Sequence, residues 1–297
     1  MKVINITLTG AMLGMAQASP FVTRAAITDA DILNYALTLE HLEATFYEEG
    51  LKNYTHKDFL NAGFKDPFYS NLQVVASDEK AHEDFLTGAL SAAGASPVKR
   101  CSYNFPSTDV KSFLALASVL EGVGVSAYLG AAASIANKDY LTAAGSILTV
   151  EARHSSYLRA AKGEVPFAQP FDDPLDFDEV YTLAASFITS CPSSNTKLPV
   201  KAFPSLTLKS TGTLSSGSKV RVVAGSDFDD SNPSNLYAAF ITVTGPVWAH
   251  LSFKGDNSFT VTIPKGIAGQ SYVVITKGKS KVTDDNIVAG PAIIEVI

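Results

Sequence analysis

Apolar positions recur every three or four residues from about 28 to 162, and alternate one in two beyond about 198. The first period is that of an amphipathic helix and the second that of a half-buried strand. Five helices follow from the first pattern and its punctuation. The first opens at Thr28, with Asp31 three residues on as a capping-box variant, and runs to about Glu49, before Gly50. The second starts at Asp66-Pro67, an acid before a proline at the first helical position, and ends near Gly94. The third covers roughly 108–136, and the fourth follows the break at Asn137 and stops before Gly163. A fifth, capped by Asp176, is predicted over 176–190.

The connection between the second and third helices, 95–107, could span about 40 Å when extended. That is long enough to recross a bundle, whereas the next connection is short and favours antiparallel neighbours. Beyond 198, alternating runs at 220–223, 237–243, 247–253, 259–263, 272–275 and 292–296 are separated by Gly, Pro, Ser and Asn. Six or seven short strands in about 100 residues predict an antiparallel, Ig-like β-sandwich. The chain is therefore divided into 1–18, 19–192 (a helical bundle with a fifth helix) and 198–297 (the sandwich). The first division has Lys2, a weakly apolar stretch from 3 to 15 and Ala16-Gln17-Ala18, the form of a signal peptide. Its apolar stretch is too short to span a membrane, so a soluble, secreted product is expected.

Composition refines this picture. A 46% apolar content suits a substantial core, and a net charge of −6 with no basic–aromatic interleaving argues against a nucleic-acid partner. The two cysteines, Cys101 and Cys191, fit one disulfide in an oxidising compartment. It would close a loop of about 90 residues, worth roughly 3–5 kcal/mol. Asn53-Tyr54-Thr55 is a glycosylation sequon in what reads as a polar loop, and Asn5-Ile6-Thr7 is another within the signal peptide.

The chemistry lies on the apolar stripes. Glu79 and His82 share one stripe of the second helix with Leu72, Val75 and Leu86; Glu151 and His154 share one of the fourth with Ile147 and Leu158. Glu121 lies between Ala117 and Val125 on the third helix, and Glu40 between Leu37 and Ala44 on the first. Each acid stands where an amphipathic helix would place leucine. Positions three apart are neighbours on a helix, so each Glu-x-x-His presents both groups on one face. Burying four carboxylates without cations costs several kcal/mol for each ion. Two divalent cations would offset that charge, with the imidazoles as neutral ligands. Tyr47 and Tyr128 each follow a lone Glu by seven residues and are candidate hydrogen-bond donors to the carboxylates. Glu43 is the alternative ligand on the first helix; the shared spacing to tyrosine favours Glu40. His41, about 100° off the stripe, is expected to be exposed, and Glu83 to be a solvated acid or an outer partner. Arg153 and Arg159 are candidates for pairing with acids on the bundle surface.

The stretches Leu39-Glu40-His41-Leu42-Glu43, Asp78-Glu79-Lys80-Ala81-His82, Leu120-Glu121-Gly122-Val123-Gly124-Val125 and Val150-Glu151-Ala152-Arg153-His154 resemble the ferritin-like superfamily. Within it they resemble the secreted branch described as desiccation-related in plants and as stress-response or late sexual-development proteins in fungi. The resemblance implies a four-helix bundle with Glu40, Glu79, His82, Glu121, Glu151 and His154 as ligands. Six N/O donors without thiolate suit iron or manganese. Two such ions imply redox chemistry on peroxide, dioxygen or Fe(II), catalase-like or ferroxidase-like, with a small oxidant or metal ions as reactants. The alternative is a non-enzymatic extracellular or cell-wall protein whose metal site is structural or vestigial. In the sandwich, Trp248 is expected in the core, and the turn-rich 227–235 segment is the candidate surface for a wall, glycan or protein contact.

Overall fold

The computed structural model describes residues 27–229 and 233–297. The expected signal peptide and the Asn5 sequon lie outside the described residues. Two layers of architecture are present: a helical bundle and an antiparallel β-sandwich docked on it.

Helix α1 (Asp29–Asn53) begins at the Thr28–Asp31 capping box. It continues past Gly50, the expected stop, because that glycine serves packing: a Cβ there would lie 2.0 Å from Cε2 of the Phe113 ring. Asn53 is thus the exposed last residue of α1 rather than part of a loop. A short helix, α2 (His56–Asn61), follows at once under its own Thr55–Asp58 box. Helix α3 (Phe68–Ala92) starts after Pro67 and not at an Asp66 cap. Asp66 instead accepts a 2.7 Å bond from His56 on α2. Helix α4 (Val110–Ala131) is capped by Asp109 and closes in a single 3-10 turn. Helix α5 (Lys138–Ala161) is capped by Asn137.

Helix α6 (Phe177–Ala185) ends five residues before the expected boundary. The chain beyond it forms strand β2 (Ile188–Ser190), which pairs antiparallel with β1 (Ser102–Tyr103). The Cys101–Cys191 disulfide stands beside this pair.

In the bundle α1 packs on α3 and α4 on α5, with α1 also against α4. One end is an aromatic cluster in which Phe46, Phe59 and Phe113 are essentially inaccessible. Such side chains contribute on the order of 1.5–3 kcal/mol each by burial. Helix α4 is long and apolar enough to cross a membrane by composition, but two-thirds of it is buried within the protein and Glu121 lies at its centre.

The sandwich has two four-stranded antiparallel sheets. One contains β3 (Leu206–Leu208), β4 (Lys219–Ala224), β8 (Ser258–Thr262) and β7 (Leu251–Gly255) in that order. The other contains β10 (Ile287–Val296), β9 (Gly269–Lys277), β5 (Leu236–Phe240) and β6 (Val247–Ala249). The single run expected at 247–253 is therefore two strands that change sheet at the exposed His250. Trp248 is only half-buried, edge-on to Tyr237. Alternation holds in β4, where Val220, Val222 and Ala224 face the core and Lys219 and Arg221 face out.

Strand β9 docks on α4. Ser126 donates to the Tyr272 hydroxyl (2.9 Å), which donates to the Gly122 carbonyl (2.9 Å), and Gln270 donates to the Val119 carbonyl (3.1 Å). Arg159 was expected to pair on the bundle surface. It is buried and forms two 2.8 Å bonds to Glu295 of β10, joining α5 to the sandwich.

Candidate metal centre

The six acids and imidazoles singled out in the sequence meet in the middle of the bundle. Glu40 comes from α1, Glu79 and His82 from α3, Glu121 from α4, and Glu151 and His154 from α5. All four carboxylates are 0% exposed. Their donor atoms form two overlapping groups, each within 4.8 Å: Glu40, Glu79, His82 and Glu151, and Glu79, Glu121, Glu151 and His154. Glu79 and Glu151 belong to both.

His82 Nδ1 lies 3.1 Å from Glu151, 3.4 Å from Glu79 and 3.5 Å from Glu40. His154 Nδ1 lies 2.9 Å from Glu79 and 3.3 Å from Glu121. The site is thus two-fold in plan, with one lone Glu and one His at each end and two shared acids between.

Both tyrosines donate to a carboxylate of the opposite helix: Tyr128 of α4 to Glu40 of α1, and Tyr47 of α1 to Glu121 of α4. Each bond occupies one oxygen and leaves the other aimed into the cluster. Asp78 was not singled out from the sequence; it lies 3.1 Å from His154 Nε2 and turns Nδ1 inward. The equivalent place before Glu151 is Val150, so His82 has no matching partner there. The residue preceding each Glu-x-x-His is the signal that would have found Asp78.

Burial pushes Glu40 up to about 7, and burial with neighbouring acids pushes Glu121 and Glu151 up as well. Glu79 goes down: burial opposes its charge, but the two imidazoles beside it outweigh burial. Burial also disfavours charge on the imidazoles, yet the surrounding carboxylates win and hold His82 near 12 and His154 near 11. Glu40 Oε2, both oxygens of Glu79 and Glu151, Glu121 Oε2 and both Nδ1 atoms meet only one another, at the ion-pair distances above, and make no well-aligned hydrogen bond. Buried polar atoms are rarely left so. Converging hard oxygens and imidazole nitrogens are what a pair of divalent cations would satisfy, so the donor set fits such ions.

Glu43, the alternative on α1, is also buried, but it lies outside both four-residue groups, toward Gly124 of α4. His41 is not exposed: it is 5% accessible, and its Nε2 lies 2.9 Å from the Val98 carbonyl oxygen. Glu83 is not solvated; Arg100 binds it through Nε at 3.1–3.2 Å and reaches Glu48 at 2.8 Å. The segment around 95–101 covers this flank of the bundle, which removes both residues from water.

The helical bundle holds a buried two-fold carboxylate–histidine cluster, and residues 28–164, which carry it, match the family model of the ferritin-like domain. The chain is similar to Protein rds1 of Schizosaccharomyces pombe (strain 972 / ATCC 24843), with 30% identity over 185 residues, which is 61% of this chain and 44% of that protein. It therefore spans less than half the length of this curated relative.

Proposed function

We propose that the protein is a secreted dimetal oxidoreductase that holds two iron or manganese ions and acts on peroxide, dioxygen or Fe(II) in stress or development. The observation that carries this reading is the set of orphaned donor atoms in two overlapping groups sharing Glu79 and Glu151. Glu40, Glu79, His82, Glu121, Glu151 and His154 would hold the ions, with Glu79 and Glu151 common to both donor groups. The ions would supply the redox couple for reducing an oxygen species. Tyr128 and Tyr47 hold Glu40 and Glu121 in register, and Asp78 fixes the ring of His154.

The disulfide supports folding in an oxidising compartment, and the exposed Asn53 is available for a glycan. Elemental analysis of natively secreted protein, followed by a peroxide-consumption assay on the same sample, tests the proposal. About two Fe or Mn per chain with turnover supports it. Protein that holds no metal and cannot take it up sinks it.

The sandwich favours a second reading, an extracellular scaffold that contacts a wall, glycan or protein. Among the described residues its one histidine is His250, and it joins no ligand cluster. Glu79→Ala with His82→Ala separates the two: loss of metal with biological function retained selects the scaffold.

A further inference from the structure

The two-fold plan of the centre breaks at one pair of positions. Three residues beyond Glu79 and Glu151 stand the histidines; three beyond the lone acids stand Glu43 on α1 and Gly124 on α4. A methyl group at Gly124 would lie 2.9 Å from Glu151 Oε2 and 3.1 Å from Glu43 Oε1. Any side chain there would crowd both carboxylates. Glycine therefore keeps the α1–α4 side of the centre open, while the imidazoles close the α3–α5 side.

Glu43 and Gly124 also floor a cavity. Leu42 of α1 and Val123 of α4 form its inner walls, and Leu183, Phe187 and Ile293 its outer ones. The outer three are half-buried, and Ser186 beside them is exposed, so the cavity runs from the surface toward the acids. Ile293 belongs to β10, so the sandwich builds part of a wall that leads to the bundle's centre. This is a direct structural reason for the two halves to be joined.

We propose that this cavity is the path by which a small neutral oxidant, hydrogen peroxide or dioxygen, reaches the dimetal centre. The proposal rests on the dimetal reading above and adds the route, the kind of molecule admitted and the part played by the sandwich. The walls are apolar up to the last step, where Glu43 stands beside Glu151. A hydrated cation or an anion would lose its water against such walls at a cost of several kcal/mol. A small uncharged molecule meets no such barrier. Metal ions accordingly load by another route.

Two filled variants, Ile293→Trp and Leu183→Trp, and one widened variant, Leu183→Ala, test this. Each is loaded with metal, reduced without air and mixed rapidly with peroxide or with dioxygen. The filled variants should keep the wild-type metal content and slow oxidation by about tenfold or more, and the widened one should match or exceed the wild type. Slowing with one oxidant alone assigns the path to that oxidant. Fully loaded tryptophan variants that oxidise at the wild-type rate overturn the proposal. Crystals of the unaltered protein under xenon give a measurement independent of folding and turnover: xenon should occupy the cavity, and its exclusion also overturns the path. If the wild type takes up no metal, or its reduced metal ignores both oxidants, the dimetal reading fails instead.

Discussion

Tyr128 on α4 donates its phenolic hydrogen to Glu40 on α1, and the reciprocal bond runs from Tyr47 on α1 to Glu121 on α4. The two helices that bring one acid each are thus cross-tied through those acids. Both tyrosines are buried, and burial with the adjacent carboxylate holds each phenol well above its ordinary pKa, so each remains a donor. Tyr128→Phe removes the donor while keeping the ring. It should destabilise the fold by about 1–3 kcal/mol through the unpaired carboxylate oxygen, and weaken metal binding by roughly 10–100-fold. Thermal unfolding and metal titration check both effects. Unchanged affinity would reduce the phenols to core packing.

Burial of so many carboxylates works against the fold, and the two imidazoles beside them offset it only in part. Burial and then the charge of Glu79 push Glu151 well above the usual carboxylate range. Glu151→Gln mimics the protonated acid and leaves His82 with Glu40 and Glu79 as neighbours. After chelator treatment, this variant should be more stable than the wild type by on the order of 1 kcal/mol. With metal supplied the order should reverse, because a shared ligand is gone. Unfolding curves with and without metal read the change of sign directly; a variant less stable in both states would contradict it.

The helices and their donor stripes were legible because local signals agree. The 3.6-residue period, the caps at Thr28 and Asp176, the break at Asn137 and the Glu-x-x-His spacing all act within one or two turns. What the sequence did not disclose depends on distant segments. Helix α6 gives way to β2 because a partner strand lies some 85 residues earlier at Ser102–Tyr103. His41 leaves water because Val98 and the Arg100–Glu83 pair enclose it, and no periodicity on α1 reports a covering loop. Arg159 finds Glu295 only after the sandwich docks. The seven-residue spacing singled out the tyrosines but not that each serves the other helix's acid.

The disulfide ties the segment before α4 to the segment after β2 across 90 residues of chain. Two hydrogen bonds between Lys99 and Asn195, at 2.9 and 2.8 Å, close the same junction. By chain entropy the bridge is worth roughly 3–5 kcal/mol. Cys101→Ser with Cys191→Ser should lower the denaturant midpoint accordingly, and a reductant should do the same to the wild type but leave the double variant unmoved. Equal midpoints for the wild type with and without reductant would show that the local bonds suffice.

A pH dependence should come from the start of α6, away from the metal centre. Asp176 and Glu179 form its capping box, each accepting a 2.8 Å bond from the other's backbone N–H. Burial, reinforced by Glu179 and Asp284, raises Asp176 to about 9, and burial raises Glu179 to about 8. In the unfolded chain both acids return to near 4. Between those values the folded state holds protons that the unfolded state releases, so stability falls as pH rises from about 4 through 8 to 9. The limit is about 1.4 kcal/mol per pH unit for each group. Glu179→Gln keeps an acceptor for the Asp176 N–H and removes one titration. Its stability relative to the wild type should therefore rise from pH 5 to pH 9 in denaturant unfolding, and a constant difference across that range would remove Glu179 as the source.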